Sequence, residues 1–231
     1  MERTSDDSKW PRLLALSVHE FRTPMTVVAG YVRMLLKDRA GALNPEQRRL
    51  LEEAERSCGR LSMLLAEMSD LSNLEAGTAT FNRSAVDLTT LVVDTIAALP
   101  DAADREVRVS FARGNGEGAQ VTGDPVRLKA AFTAILHALR RELVTSDELL
   151  VSQRAGDYEG QPATWIAFGD ARHIETLSAG AEAMLVPFDE WRGGCGLGLA
   201  VARRVLDAHG GAIWSPADGT KAGAVVVLPT V

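Results

Sequence analysis

The segment Ser17-Val18-His19-Glu20-Phe21-Arg22-Thr23-Pro24 places a histidine beside a carboxylate, with a hydroxyl about one helical turn further on. A neutral imidazole attacks a phosphoryl group when a neighbouring carboxylate takes or orients its other proton, so His19 is a candidate phosphoacceptor and Glu20 its general base. Thr23 can position a water for the reverse hydrolysis, and Pro24, lacking an N–H, should bend a helix just past the histidine. A second locus is Gly194-Cys195-Gly196-Leu197-Gly198-Leu199. Glycines let backbone amides approach phosphate oxygens and a following helix adds a favourable dipole, although such a loop by itself is equally a plain tight turn.

These residues need elements to hold them. From Leu14 the apolar residues fall at Leu14, Val18, Phe21, Met25, Val28, Val32 and Leu35, a heptad seam on one long helix that should end at 38–41. His19 follows seam residue Val18, a phase that puts its ring at the edge of the seam. Asn44 can cap a second helix, Pro45 suits its first position and Glu46 its positive end. That helix carries Leu50, Ala54, Ser57, Leu61, Leu64, Met68 and Leu71, widened by Leu51, Cys58 and Leu65, and stops at Gly77. Two such stripes cannot be buried by one hairpin, so a homodimeric four-helix bundle is expected.

After Gly77 the period changes, and domains are expected at 1–77 and 78–231. Short β-like runs at 107–111, 149–153, 165–168 and 224–228 alternate with helical patterns at 88–98, 126–143 and 199–209, an α+β arrangement with helices on one sheet. The stretches 114–119 and 155–162 are expected to be connecting loops.

His19-Glu20-Phe21-Arg22-Thr23-Pro24, on the first of two bundle helices, resembles the phosphoacceptor motif of the histidine kinases. Leu71-Ser72-Asn73-Leu74-Glu75-Ala76-Gly77 is similar to that family's exit from the bundle. The resemblance runs through nearly the whole chain and implies a Bergerat (GHKL) ATP-binding α/β sandwich for the second domain. It implies ATP and Mg2+ as cofactors and the receiver domain of a response regulator as partner. Ile166-Ala167-Phe168-Gly169-Asp170 matches the strand leading to the family's adenine-reading aspartate, so Asp170 takes that role. Gly194, Gly196, Leu197 and Gly198 take the phosphate side, Val186-Pro187-Phe188 resembles the lid's phenylalanine motif, and His209-Gly210-Gly211 with a closing hairpin resembles the terminus.

Two departures stand out. Arg172 and Ile174 occupy positions where the family has glycines, and side chains there can crowd a nucleotide. Aligned from Asp124, the family's two asparagines fall at Ala134 and Ala138, and a methyl group cannot ligand magnesium, so no protein metal ligand is assigned. His137 points away around the helix and reads as structural; Arg140 and Arg141 can pair with phosphates by charge. His173 and His209 read as turn or cap residues. Trp10, Trp165, Trp191 and Trp214 read as packing residues.

With 231 residues and 46% hydrophobic content the chain can bury a sizeable core, and its net charge of -6 disfavours nucleic acid or a membrane surface as partner. Cys58 and Cys195 suggest neither zinc nor a disulfide, which fits a cytoplasmic setting, with any anchor lying in a larger parent chain. Two readings remain open. One is an active protein-histidine kinase; the other is a phosphotransfer, phosphatase or scaffold module whose ATP site has decayed.

Overall fold

One helix of 28 residues, α1 (Lys9–Leu36), runs uninterrupted through Pro24. This is a computed structural model, and it describes residues 9–100, 107–112, 119–144, 146–179, 185–192, 196–217, 219 and 222–231. Two units make up the chain, Met1–Ala79 and Thr80–Val231.

In the first unit α1 packs against α2 (Pro45–Glu75). The connection is fixed by Asp38, in the left-handed region at φ 56°, whose carboxylate takes two 2.9 Å hydrogen bonds from Arg48 Nη2 while Arg48 Nη1 donates to Leu36 O. Asn44 caps α2 as expected: its side chain accepts from Gln47 N at 2.8 Å, and Gln47 returns the favour to Asn44 N. Gly77, at φ 67°, ends the hairpin in a conformation that costs glycine little. At the open end Ser72 Oγ donates to Pro11 O at 2.7 Å.

The seam splits into two sets. Leu14, Val18, Ala29 and Val32 of α1 and Cys58 and Leu71 of α2 are buried, whereas Phe21 and Val28, with Leu50, Leu61 and Leu64 of α2, are exposed. A stripe this wide exceeds what one partner helix can cover, so Ala29 takes the inner position expected of Val28 and half of the apolar surface stays outside.

The second unit begins with a two-stranded antiparallel ribbon of β1 (Ser84–Asp87) and β3 (Gln120–Gly123). Its main sheet has six strands in the order β2-β4-β5-β8-β7-β6, with β2 (Arg108–Ala112) parallel to β4 (Glu148–Tyr158) and all other pairs antiparallel. Ala155–Tyr158, expected as a loop, continue β4. The reversal into β5 (Gln161–Gly169) needs only Glu159 and Gly160, both at positive φ (51° and 77°), the two-residue turn that suits a twisted hairpin. Of the other expected loop, 114–118 lie outside the described residues.

On one sheet face α4 (Pro125–Glu142) packs with α3 (Leu88–Ala97) and α6 (Gly198–Ala208), and Phe132 of α4 meets Phe168 of β5 at 6.4 Å. The opposite face, through Ala163, Trp165 and Ala167 of β5 and Val225 and Val227 of β8 (Ala224–Pro229), buries Ile174 and Leu177 of the short helix α5 (Ile174–Ala179). Trp165 stacks there on Trp214 of β7 (Ala212–Pro216), 5.6 Å apart at 15°. Trp10 and Trp191, expected to pack, are exposed instead.

His209 ties this unit together. Its ring is buried, Nε2 accepts from Asp124 N at 2.9 Å, and Nδ1 donates to Val205 O at 2.6 Å, so only the neutral tautomer with the proton on Nδ1 satisfies both. Gly123 makes this approach possible, because a Cβ there would come within 2.9 Å of the ring. Burial, reinforced by Arg83 and Arg127, pushes the imidazole below its ordinary value. Phe81 meets the same ring edge-on at 5.3 Å and has the guanidinium groups of Arg83 and Arg127 over its own ring, at 5.6 and 5.1 Å.

Because the folded-state imidazole is depressed, its contribution is whole above the ordinary value near 6.5 and is lost progressively as pH falls below it. Replacing His209 by Gln should lower urea stability by about 1–3 kcal/mol at pH 7.5, since the Asp124 N–H loses a well-placed acceptor. It should also flatten part of the stability loss expected of wild type between about pH 7 and 5.5. Burial depresses His137 too, so the difference between the two proteins is what counts; equal pH slopes would refute the assignment.

Candidate functional site

His19 sits about three turns into α1, one residue past buried Val18, and is thereby held at the rim of the hairpin with its side chain 78% exposed. Glu20 is 72% exposed, and its Oε1 lies 3.4 Å from His19 Nδ1. An Nδ1–H directed at that carboxylate leaves the Nε2 lone pair facing outward, the protonation a nucleophilic imidazole needs. Thr23 is exposed one turn on. Ser17 Oγ and Thr26 Oγ1, in contrast, are spent on the carbonyls of Leu13 and Arg22.

In the second unit Asp170 ends the central strand β5 with its side chain buried. Oδ1 accepts from the backbone of Arg172 (3.0 Å) and His173 (3.1 Å) and from His173 Nδ1 at 2.6 Å. Burial drives this carboxyl upward, but the His173 side chain and the backbone donors outweigh it and hold the group below the usual carboxylate range. Asp170 therefore caps a turn and presents an ionised carboxylate together. His173, expected to be a turn residue only, is one of its partners, and no motif in the sequence signalled that contact. Ile174, at one of the family's glycine positions, turns into the core of the outer sheet face, so only Arg172 remains to crowd a ligand.

The helix α4 starts from Asp124, whose Oδ1 accepts from Val126 and Arg127 N and whose Oδ2 accepts from Asn82 N at 2.8 Å. Ala134 is half-buried and Ala138 fully buried. One turn beyond Ala138, Glu142 lies 3.6 Å from Arg192 Nε, both largely buried. Arg140 donates to Pro100 O, which commits it to holding the end of α3, and Arg141 is exposed on the last turn. Among the described residues no three His, Cys, Asp or Glu side chains gather to hold a metal ion. The residues present thus do not fit magnesium by the asparagine route, and Ala138 has no open space around its methyl group.

Gly194 and Cys195 lie outside the described residues. Gly196 adopts φ 70°, Leu197 occupies the N-cap of α6 without a side-chain cap bond, and Gly198 opens the helix. Phe188, following β6 (Leu185–Pro187), is buried with the Arg192 guanidinium 4.5 Å above its ring, and Arg192 donates to Ser215 Oγ and Gly223 O. Buried Glu190 accepts from Arg203 and Arg204 of α6. Asp170 and the Gly196–Gly198 turn thus come from two segments of the same unit.

Residues 12–77 match the family His Kinase A (phospho-acceptor) domain. The phosphate regulon sensor protein PhoR of Pseudomonas aeruginosa is 28% identical over 197 residues, 83% of this chain and 43% of PhoR. The full-length ShkA structure in complex with AMPPNP superposes with a TM-score of 0.66 at 20% identity, covering 96% of this chain and 46% of ShkA. The histidine kinase AdeS of Acinetobacter baumannii gives 0.56 at 21% identity, with 92% and 98% covered. Both structures share the fold, and the chain spans less than half the length of PhoR and a quarter of the sensor protein GacS of Pseudomonas syringae. Among the described residues no helix is long and apolar enough to cross a membrane.

The Glu142–Arg192 pair links the end of α4 to the segment before the glycine loop. Arg192→Ala would take the opposing guanidinium away from a largely buried carboxylate and should destabilise the second unit by about 3 kcal/mol in chemical denaturation. Replacing both residues by Met should recover most of that loss, and a single variant as stable as wild type would show the pair to be incidental.

Proposed function

We propose that this chain is a sensor histidine kinase catalytic core that moves the γ-phosphoryl group of ATP to His19 and then to an aspartate on a response-regulator receiver domain. The observation that carries the reading is the outward-facing His19 ring with Nδ1 beside Glu20. In the first step Nε2 forms a bond to phosphorus, the bond from phosphorus to the β,γ-bridging oxygen breaks and ADP leaves. Glu20 holds the Nδ1 proton, which keeps the second nitrogen nucleophilic. Asp170 accepts from the exocyclic amine of adenine, the loop around Gly194, Gly196, Leu197 and Gly198 offers backbone N–H groups to the phosphates, and Arg141 adds charge. Thr23 holds the water when the phosphohistidine chemistry runs toward hydrolysis. No step is assigned to magnesium through Ala134 or Ala138.

Two copies pair through the exposed stripe of Phe21, Val28, Leu50, Leu61 and Leu64 to complete a four-helix bundle, and the assembly works in the cytoplasm, where ATP and receiver domains meet. The buried methyl of Ala138 favours one competing reading. In it the ATP site has decayed and His19 serves a phosphotransfer, phosphatase or scaffold module.

Incubation with radiolabelled ATP and magnesium should place acid-labile label on wild type and none on His19→Ala. Glu20→Gln should slow the initial rate by on the order of a hundredfold. No label on a wild-type chain that still accepts phosphoryl from a phosphorylated receiver domain would establish the competing reading. Val28→Glu, by placing charge in the stripe, should shift the chain toward monomer in sedimentation; an undisturbed dimer would move the interface elsewhere.

A further inference from the structure

Asp170 holds more donors than a turn requires. The N–H groups of Arg172 and His173 already cap the turn after β5 at 3.0 and 3.1 Å, and α5 starts at Ile174 without help from the His173 side chain. The imidazole nevertheless folds back to bring Nδ1 within 2.6 Å of the same Oδ1. That contact is the shortest of the three, and it is made by a side chain still 35% exposed against a carboxylate side chain only 5% exposed.

We propose that His173 is a positioning residue that fixes the Asp170 carboxylate for reading an amino-bearing purine and against an oxo-bearing one. The proposal rests on Asp170 being the adenine contact proposed above. A fixed, ionised carboxylate accepts from the exocyclic amine of adenine and repels the carbonyl oxygen that guanine carries in the same place. A carboxyl group that can rotate or take up a proton loses this discrimination, because its O–H can donate to the guanine oxygen. Burial favours the protonated form of Asp170, and the His173 contact is the foremost of the interactions opposing it. Selectivity for ATP therefore depends on a neighbour three residues along the chain as well as on the aspartate itself.

The test is calorimetric binding of ATP and of GTP to the full chain in EDTA, so that no metal contributes. In His173→Ala the ATP dissociation constant should rise about tenfold, as expected for loss of a charge-assisted hydrogen bond, while that for GTP stays level or falls. His173→Asn, whose amide can donate from nearly the same place, should restore most of the preference, and His173→Phe, which keeps the ring without the donor, should not. Should His173→Ala fail to fold, the Asn and Phe variants carry the comparison. An ATP-to-GTP ratio unchanged in the donor-less variants, or equal weakening of both nucleotides, overturns the proposal. Asp170→Asn separates the two layers: if it weakens ATP binding while His173→Phe does not, only the role of His173 falls. If Asp170→Asn leaves ATP binding untouched, or wild type binds no ATP, the adenine reading falls and takes this proposal with it.

Discussion

The second unit depends on one buried junction, the hydrogen bond from Asp124 N to His209 Nε2. Asp124 begins α4 and His209 ends α6, the two helices that carry Ala138 and Glu142 on one side and the glycine loop on the other. Because the remaining donors and acceptors of both residues are also engaged, by Asn82, Val126, Arg127 and Val205, sliding one helix against the other would strand several polar groups at once. The register of the candidate nucleotide-binding elements is thus set about a full helix length away from the residues that would touch the ligand. Phe81, with two arginines over its ring, brings the start of the unit to the same junction.

From that scaffold the two ends of the candidate nucleotide site diverge. At Asp170 the donors already in place hold a buried carboxyl below the usual carboxylate range, the preorganisation that the proposed base contact would need. Around Ala138 the opposite holds. The methyl group is fully buried and the next polar side chain on that face, Glu142, is turned toward Arg192. A carboxylate held by a guanidinium is a poor recruit for a cation, since the ion would have to displace the arginine and leave that charge buried. Base recognition and metal-assisted phosphoryl transfer are separable demands, and the side chains of the proposed site suit the first far more plainly than the second.

Much of this was legible in the sequence, for physical reasons that also explain the gaps. The long helices announced themselves because their apolar spacing runs for several turns and Asn44-Pro45-Glu46 supplies a cap, a rigid first residue and an acid in sequence. Strands β1, β3 and β6 are not legible because three or four residues cannot display a period, and Ala155–Tyr158 because glycine and charge mask a strand whose partner, β5, supplies the pairing. The contacts of His173 and His209 were invisible for a different reason. Each joins a residue to a partner defined by folding: His209 meets Asp124 across 85 positions, and His173 meets Asp170 only because the turn folds its ring back. A two-sided use of α5 and the helices around the sheet likewise needs the alternation of β5, nearly all of it buried, which composition alone cannot assign to faces.

The two histidine–carboxylate pairs show how burial decides what one chemical motif does. His19 and Glu20 are solvated, and at 3.4 Å their contact is loose enough to be remade in every turnover. A phosphoacceptor requires this, because water and an incoming phosphoryl donor must both reach the ring, and a tightly held imidazole would lose its nucleophilicity to its partner. His173 and Asp170, closer by 0.8 Å and largely removed from solvent on the carboxylate side, form a contact that fixes a shape rather than one that reacts. Screening by water weakens the first pair and the low local dielectric strengthens the second. In the proposed scheme the same two side chain types thus give an exposed reactive group on a helix surface and a fixed recognition element just past the end of a strand.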